Sequence, residues 1–88
     1  MSIKVISYDL RKPGRDYEGL YKEIRALGSY THPMDSVWFV DSGKTTSGIL
    51  EALAQHLDAN DRILVHTWPQ YKQMRLSQST LDWIKKHE

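Results

Sequence analysis

Eighty-eight residues, 40% apolar and 26% charged, make one small globular domain, and this composition excludes both a disordered chain and a membrane-spanning one. A formal net charge of +1 excludes a dedicated nucleic-acid coat and leaves room for a local basic patch. A chain this short buries only about 60% of its unfolded surface, so its core is thin and a second copy would stabilise it.

The first strand is expected at Ile3–Tyr8, with Ile3 and Val5 pointing to one face and Ile6 and Tyr8 to the other. It enters directly, with no apolar leader before it, and the chain has no cysteine, so the expected location is the cytoplasm. The strand delivers one carboxylate, Asp9, to its carboxyl end and breaks at Pro13-Gly14. A carboxylate at a strand end, followed by Arg11, Lys12 and Arg15, is an arrangement that can hold a divalent ion beside phosphate-binding cations. The plainer alternative is a polar turn with solvated cations, since turns are rich in Asp, Pro and Gly.

A helix is expected over 16–27, capped by Asp16, with Tyr17, Leu20, Tyr21, Ile24 and Leu27 at i, i+3, i+4, i+7 and i+10. Gly28 stands where a helix takes a left-handed cap. A short strand at Ser29–His32, a tight connection at Pro33-Met34-Asp35 and a second strand at Ser36–Asp41 follow; Pro33 cannot donate to a ladder and fits an edge or a turn. A second helix is expected over Thr46–Leu57, capped by Thr45, Thr46 or Ser47, and Asp58-Ala59-Asn60-Asp61 is turn chemistry before a final strand, Arg62–Thr67.

This order predicts an α+β domain over residues 1–68. The expected plan is ferredoxin-like βαββαβ, one antiparallel four-stranded sheet with both helices on one face. The other face then needs a cover; a second subunit is the expected one, and the last twenty residues can do part of that job. Residues 69–88 form an extension with a short helix bearing Leu81, Trp83 and Ile84 behind the capping pattern Ser79-Thr80-Leu81-Asp82. Up to Trp68 the chain has eight positive and nine negative charges, and from Pro69 on four and two, so the basic excess lies in this tail.

Other groups carry less. Asp41-Ser42-Gly43-Lys44-Thr45-Thr46 invites a phosphate-loop reading, but GxxxxGK[ST] needs glycine where Trp38 stands, and no nucleotide cofactor is expected. His32, His56, His66 and His87 lack metal-ligand spacing. Tyr8, Tyr30, Trp38 and Trp68 are read as packing before base stacking.

Tyr8-Asp9-Leu10 at a strand end, Leu27-Gly28, Asp35-Ser36-Val37-Trp38-Phe39-Val40 and Leu57-Asp58-Ala59-Asn60-Asp61-Arg62 together resemble the small CRISPR-associated adaptation nucleases. Closer still are short bacterial and phage proteins labelled SinR-family, with virulence-associated protein D toxins more distant. The resemblance covers about residues 3–68. It implies a homodimer of ferredoxin-like subunits in which Asp9 of each copy faces the other and holds Mg2+ or Mn2+ for cleavage of DNA or RNA, with Ser36 matching the family's serine. The family usually adds a second acid and an arginine pair after the first strand, where this chain has Arg11-Lys12-Pro13-Gly14-Arg15-Asp16. Three functions follow as expectations: a metal-dependent endonuclease, a non-catalytic nucleic-acid-binding or adaptor dimer, and a protein-interaction module of a toxin system or phage.

Overall fold

The computed structural model describes residues 2–11 and 16–88. Its first element, β1 (Ser2–Asp9), is the strand with apolar residues on both faces, and a strand of that kind must sit inside a sheet covered on both sides. It does: β1 lies between β3 (Val37–Ser42) and β4 (Arg62–Thr67), and β2 (Ser29–Met34) completes an antiparallel sheet of order β2-β3-β1-β4.

One face carries α1 (Glu18–Arg25) and α2 (Thr46–Ala54). Leu20 and Ile24 of α1 and Ile49 and Leu53 of α2 pack with Ile6, Trp38 and Val40 of the sheet into one buried cluster. The opposite face carries α3 (Gln78–His87), whose Ile84 packs with Ile3, Val5 and Phe39, flanked by Leu81, Trp83 and Trp68. The alternation of β1 is thus divided between two cores: its odd positions meet α3 and its Ile6 meets α1 and α2. No helix among the described residues is long and apolar enough to cross a membrane.

Several element ends differ from the sequence expectation, each for a local reason. Helix α1 is shorter than 16–27, with Tyr17 at the N-cap position; Asp16 still contributes, because its carboxylate accepts the Glu18 N–H at 2.9 Å. Strand β2 continues through Pro33 to Met34, which an edge strand permits, and the register slips between Thr31 and Met34. Helix α2 stops at Ala54, not Leu57, and of the three possible caps Thr45 is used, its hydroxyl accepting the Gly48 N–H at 3.0 Å. Helix α3 is capped two residues earlier than expected, by Ser77 and not Ser79, its hydroxyl accepting the Thr80 N–H.

Gly28 is not a left-handed helix cap. Its φ is 158°, far from the left-handed helical value of about +57°. Glycine is required there because α1 hands over to β2 tightly against β3, and an added Cβ would collide with the Asp41 carbonyl oxygen. Gly28→Ala is therefore expected to lower stability by about 2 kcal/mol or more, a large share of the roughly 4–13 kcal/mol open to a chain of this length. Urea denaturation checks this, and a midpoint unchanged from the unsubstituted protein would refute it.

Candidate metal and nucleic-acid site at the end of the central strand

The site is built by the antiparallel register. Asp9, the last residue of β1, pairs with Arg62, the first of β4, so the sheet sets a carboxylate beside a guanidinium contributed from 53 positions further along the chain (62 − 9). On the other side of β1, the Tyr8 N–H donates to the Ser36 carbonyl at 3.0 Å, which brings the β2–β3 turn to the same end of the sheet. Tyr8 also donates its hydroxyl to the Asp35 carbonyl at 3.1 Å and accepts the Trp38 indole N–H at 2.9 Å. Burial pushes the Tyr8 phenol above its ordinary value, opposed by the Trp38 hydrogen bond, so this connection stays protonated well into alkaline conditions.

Asp9, Arg11, Asn60 and Arg62 line an open recess of about 550 Å³. Arg11 approaches Asp9 Oδ2 with Nε at 2.9 Å and Nη2 at 2.7 Å. Both side chains are more than half exposed, at 61% and 56%. An ion pair so exposed is worth only about 0–1 kcal/mol, so a phosphate can draw Arg11 away, or a cation Asp9, at small cost. Arg62 donates to the Ala59 and Asp61 carbonyls, at 3.4 and 3.2 Å, which ties it to the turn before β4.

The loop after β1 is anchored by a residue that sequence reasoning assigned only to a turn. Asp61 is 8% exposed; it accepts the Arg11 backbone N–H at 2.7 Å and the Asp58 N–H at 2.8 Å, and the Tyr17 hydroxyl lies 2.9 Å from each of its oxygens. One carboxylate thus joins the exit of β1, the entry to α1 and the α2–β4 turn. The sequence signal was slight: an Asp three residues after Asp58, closing the turn through the Asp61 N–H to the Asp58 carbonyl. Arg62 and Asn60 were likewise not marked as site residues, because only the pairing of β4 with β1 carries them to Asp9.

Of the residues expected at the site, Asp9, Arg11 and Ser36 gather at one end of the sheet, while Lys12 and Arg15 lie outside the described residues. Ser36 is exposed on its turn and is tied to β1 by its backbone carbonyl. Among the described residues no three His, Cys, Asp or Glu side chains group as metal ligands. One chain's Asp9 offers a divalent ion a single carboxylate with a guanidinium already on one oxygen. Magnesium takes one or two carboxylates with waters in near-octahedral order, and among the described residues Asp9 is the one carboxylate lining this recess. No family model and no solved structure matches the chain.

Asp61→Ala removes the acceptor for two backbone N–H groups and the half-buried Tyr17 hydroxyl. It is expected to cost about 2–4 kcal/mol in urea unfolding, while Asp9→Ala at the exposed pair changes stability by less than about 1 kcal/mol. Equal losses for the two variants would show that Asp61 is not the anchor.

Proposed function

We propose that this protein is a ferredoxin-like, nucleic-acid-binding homodimer related to the small CRISPR-associated adaptation nucleases, with metal-dependent phosphodiester cleavage of DNA or RNA as its activity. The observation that carries the proposal is the position of Asp9: an exposed carboxylate at the end of the central strand, in a recess it shares with Arg11 and Arg62. The strand order β2-β3-β1-β4, antiparallel throughout with a helix between β1 and β2 and another between β3 and β4, supports the ferredoxin-like reading.

In this reading Asp9 of each of two copies would hold one Mg2+ or Mn2+. The bound ion would neutralise charge developing on the phosphate. Arg11 and Arg62 bind the flanking phosphates, and doubling by the dimer gives about four such contacts before Lys12 and Arg15 are added. Ser36, one strand over at the same sheet end, is the second position carried from the resemblance as catalytic.

A specific observation favours a second reading, a non-catalytic adaptor that holds nucleic acid. Arg11 already answers Asp9 with two nitrogens on one oxygen, an arrangement that serves to position a loop without any metal.

Cleavage separates the two. With Mg2+ or Mn2+ present, the protein is expected to cut single- or double-stranded DNA or RNA, and Asp9→Ala or chelator to reduce cutting at least about 100-fold while the dimer persists in sedimentation. Cleavage undiminished in Asp9→Ala would remove that residue's role, and binding with no cleavage under any metal leaves the adaptor. For binding itself, affinity for duplex is expected to fall steeply with salt. Arg11→Ala and Arg62→Ala should each lower the slope of log K against log salt by about 2, since each substitution removes two contacts per dimer at about 0.9 apiece. A salt-independent affinity would refute the phosphate contacts.

A further inference from the structure

At the opposite end of the sheet from Asp9, three residues far apart in the chain meet in a defined order. Ser29 opens β2 and Asp41 lies directly across from it on β3, the two being Cα partners in the register, so their side chains stand next to each other on the α3 face. His87 descends onto them from the last turn of α3. Its Nδ1 lies 2.7 Å from Asp41 Oδ2, and its Nε2 lies 3.2 Å from Ser29 Oγ. Trp83, one helical turn before His87, stacks on the imidazole with ring centroids 4.4 Å apart and donates its indole N–H to Ser29 Oγ at 3.0 Å.

Proton assignment in this network has one consistent solution with a neutral imidazole. The carboxylate is acceptor only, so Nδ1 carries the hydrogen; Nε2 is then an acceptor and receives the Ser29 hydroxyl, whose oxygen in turn accepts from Trp83. The hydroxyl is thereby aimed at a base that a carboxylate orients. The Asp41 and His87 side chains are 15% and 19% exposed, while Ser29 is exposed. Asp41 Oδ1 is buried without a hydrogen-bond partner among the described residues, so the carboxylate meets the imidazole through Oδ2 alone.

We propose that Ser29, His87 and Asp41 form a nucleophilic serine centre that accepts acyl groups from small activated esters. The connectivity is that of a serine–histidine–carboxylate triad, recognised by geometry and roles and not by position in the chain. Ser29 Oγ attacks the ester carbonyl carbon as its proton passes to His87 Nε2. The carbon–oxygen bond to the leaving group breaks, and the leaving alkoxide takes that proton. Water then attacks the acyl-serine, giving its proton to Nε2; the free acid leaves and the serine recovers the proton. Among the described residues, the N–H aimed at Ser29 Oγ is that of Trp83, and it meets the attacking oxygen and not the carbonyl oxygen of a substrate. The centre therefore suits aryl esters and phosphonyl fluorides, whose leaving groups depart readily, and not amides.

The probe is a fluorophosphonate, read by tandem mass spectrometry on the full chain, together with stopped-flow release of p-nitrophenolate from p-nitrophenyl acetate. The expected result is an adduct on Ser29 and a burst of about one p-nitrophenolate per chain. Ser29→Ala should abolish both, and His87→Gln and Asp41→Asn should slow labelling by about 100-fold or more. Ser47→Ala, on the exposed first turn of α2, should leave labelling at Ser29 unchanged. The melting curve of Ser29→Ala serves as the folding control, since that substitution keeps the Asp41–His87 pair. Labelling of Ser29 no faster than of the exposed Ser47 overturns the proposal and leaves the three residues as a clasp for α3. A burst that survives Ser29→Ala also overturns it, because the imidazole alone would then be the nucleophile.

Discussion

A strand with apolar side chains on both faces cannot lie at a surface, and β1 imposes that constraint on everything else in this protein. Ile3 and Val5 need one cover and Ile6 another, so the sheet must be sandwiched, and a chain of 88 residues has to find both layers within itself or borrow one. Helices α1 and α2 supply the first layer through four fully buried aliphatic side chains. Helix α3 supplies part of the second, with Ile84 over Ile3, Val5 and Phe39. Leu64 on β4 and Met34 on β2 stay largely exposed on that sheet, at 59% and 51%.

The two ends of β1 then acquire different chemistry. At the carboxyl end, backbone hydrogen bonds run out and polar side chains take over: Asp61 gathers the loop ends while Asp9, one pleat beyond the core, is left facing solvent with Arg11 and Arg62. The division of labour follows burial. Asp61 is enclosed, so its oxygens must be satisfied internally and it serves the fold. Asp9 is exposed, its ion pair is weak, and it stays free to exchange partners.

At the other end, attachment of α3 is mostly polar. The Asp41–His87 contact, the Trp83–Ser29 and Thr80–Thr31 hydrogen bonds and the Trp68 indole N–H on Glu88 Oε2 at 2.7 Å surround a single buried aliphatic residue, Ile84. Trp68 and Lys72 hold the Glu88 carboxyl below its usual range, so this last contact persists in mild acid. A helix seated by directional contacts is placed in one register, and that register is what delivers His87 to Ser29 and Asp41.

Local periodicity was sufficient for most of this architecture. The i, i+3, i+4, i+7 pattern of α1, the two-faced apolar run of β1 and the exact span of β4 are short-range properties, readable from the side chains themselves. Asp9 as a strand-end carboxylate was readable for the same reason, whereas Thr45 was one of three possible caps and the structure chose it. Arg62 beside Asp9, Asp61 as the anchor of three segments and Ser29 against Asp41 and His87 were decided by tertiary structure alone, because each depends on pairings between residues 12 to 58 positions apart. The same holds for Gly28, whose glycine looked like a helix cap and answers instead to the neighbouring carbonyl of β3. Spacing along the chain carries the information that a helix or strand needs; which side chains meet across a sheet depends on strand order and register, which hydrophobic burial settles only when the whole chain has closed.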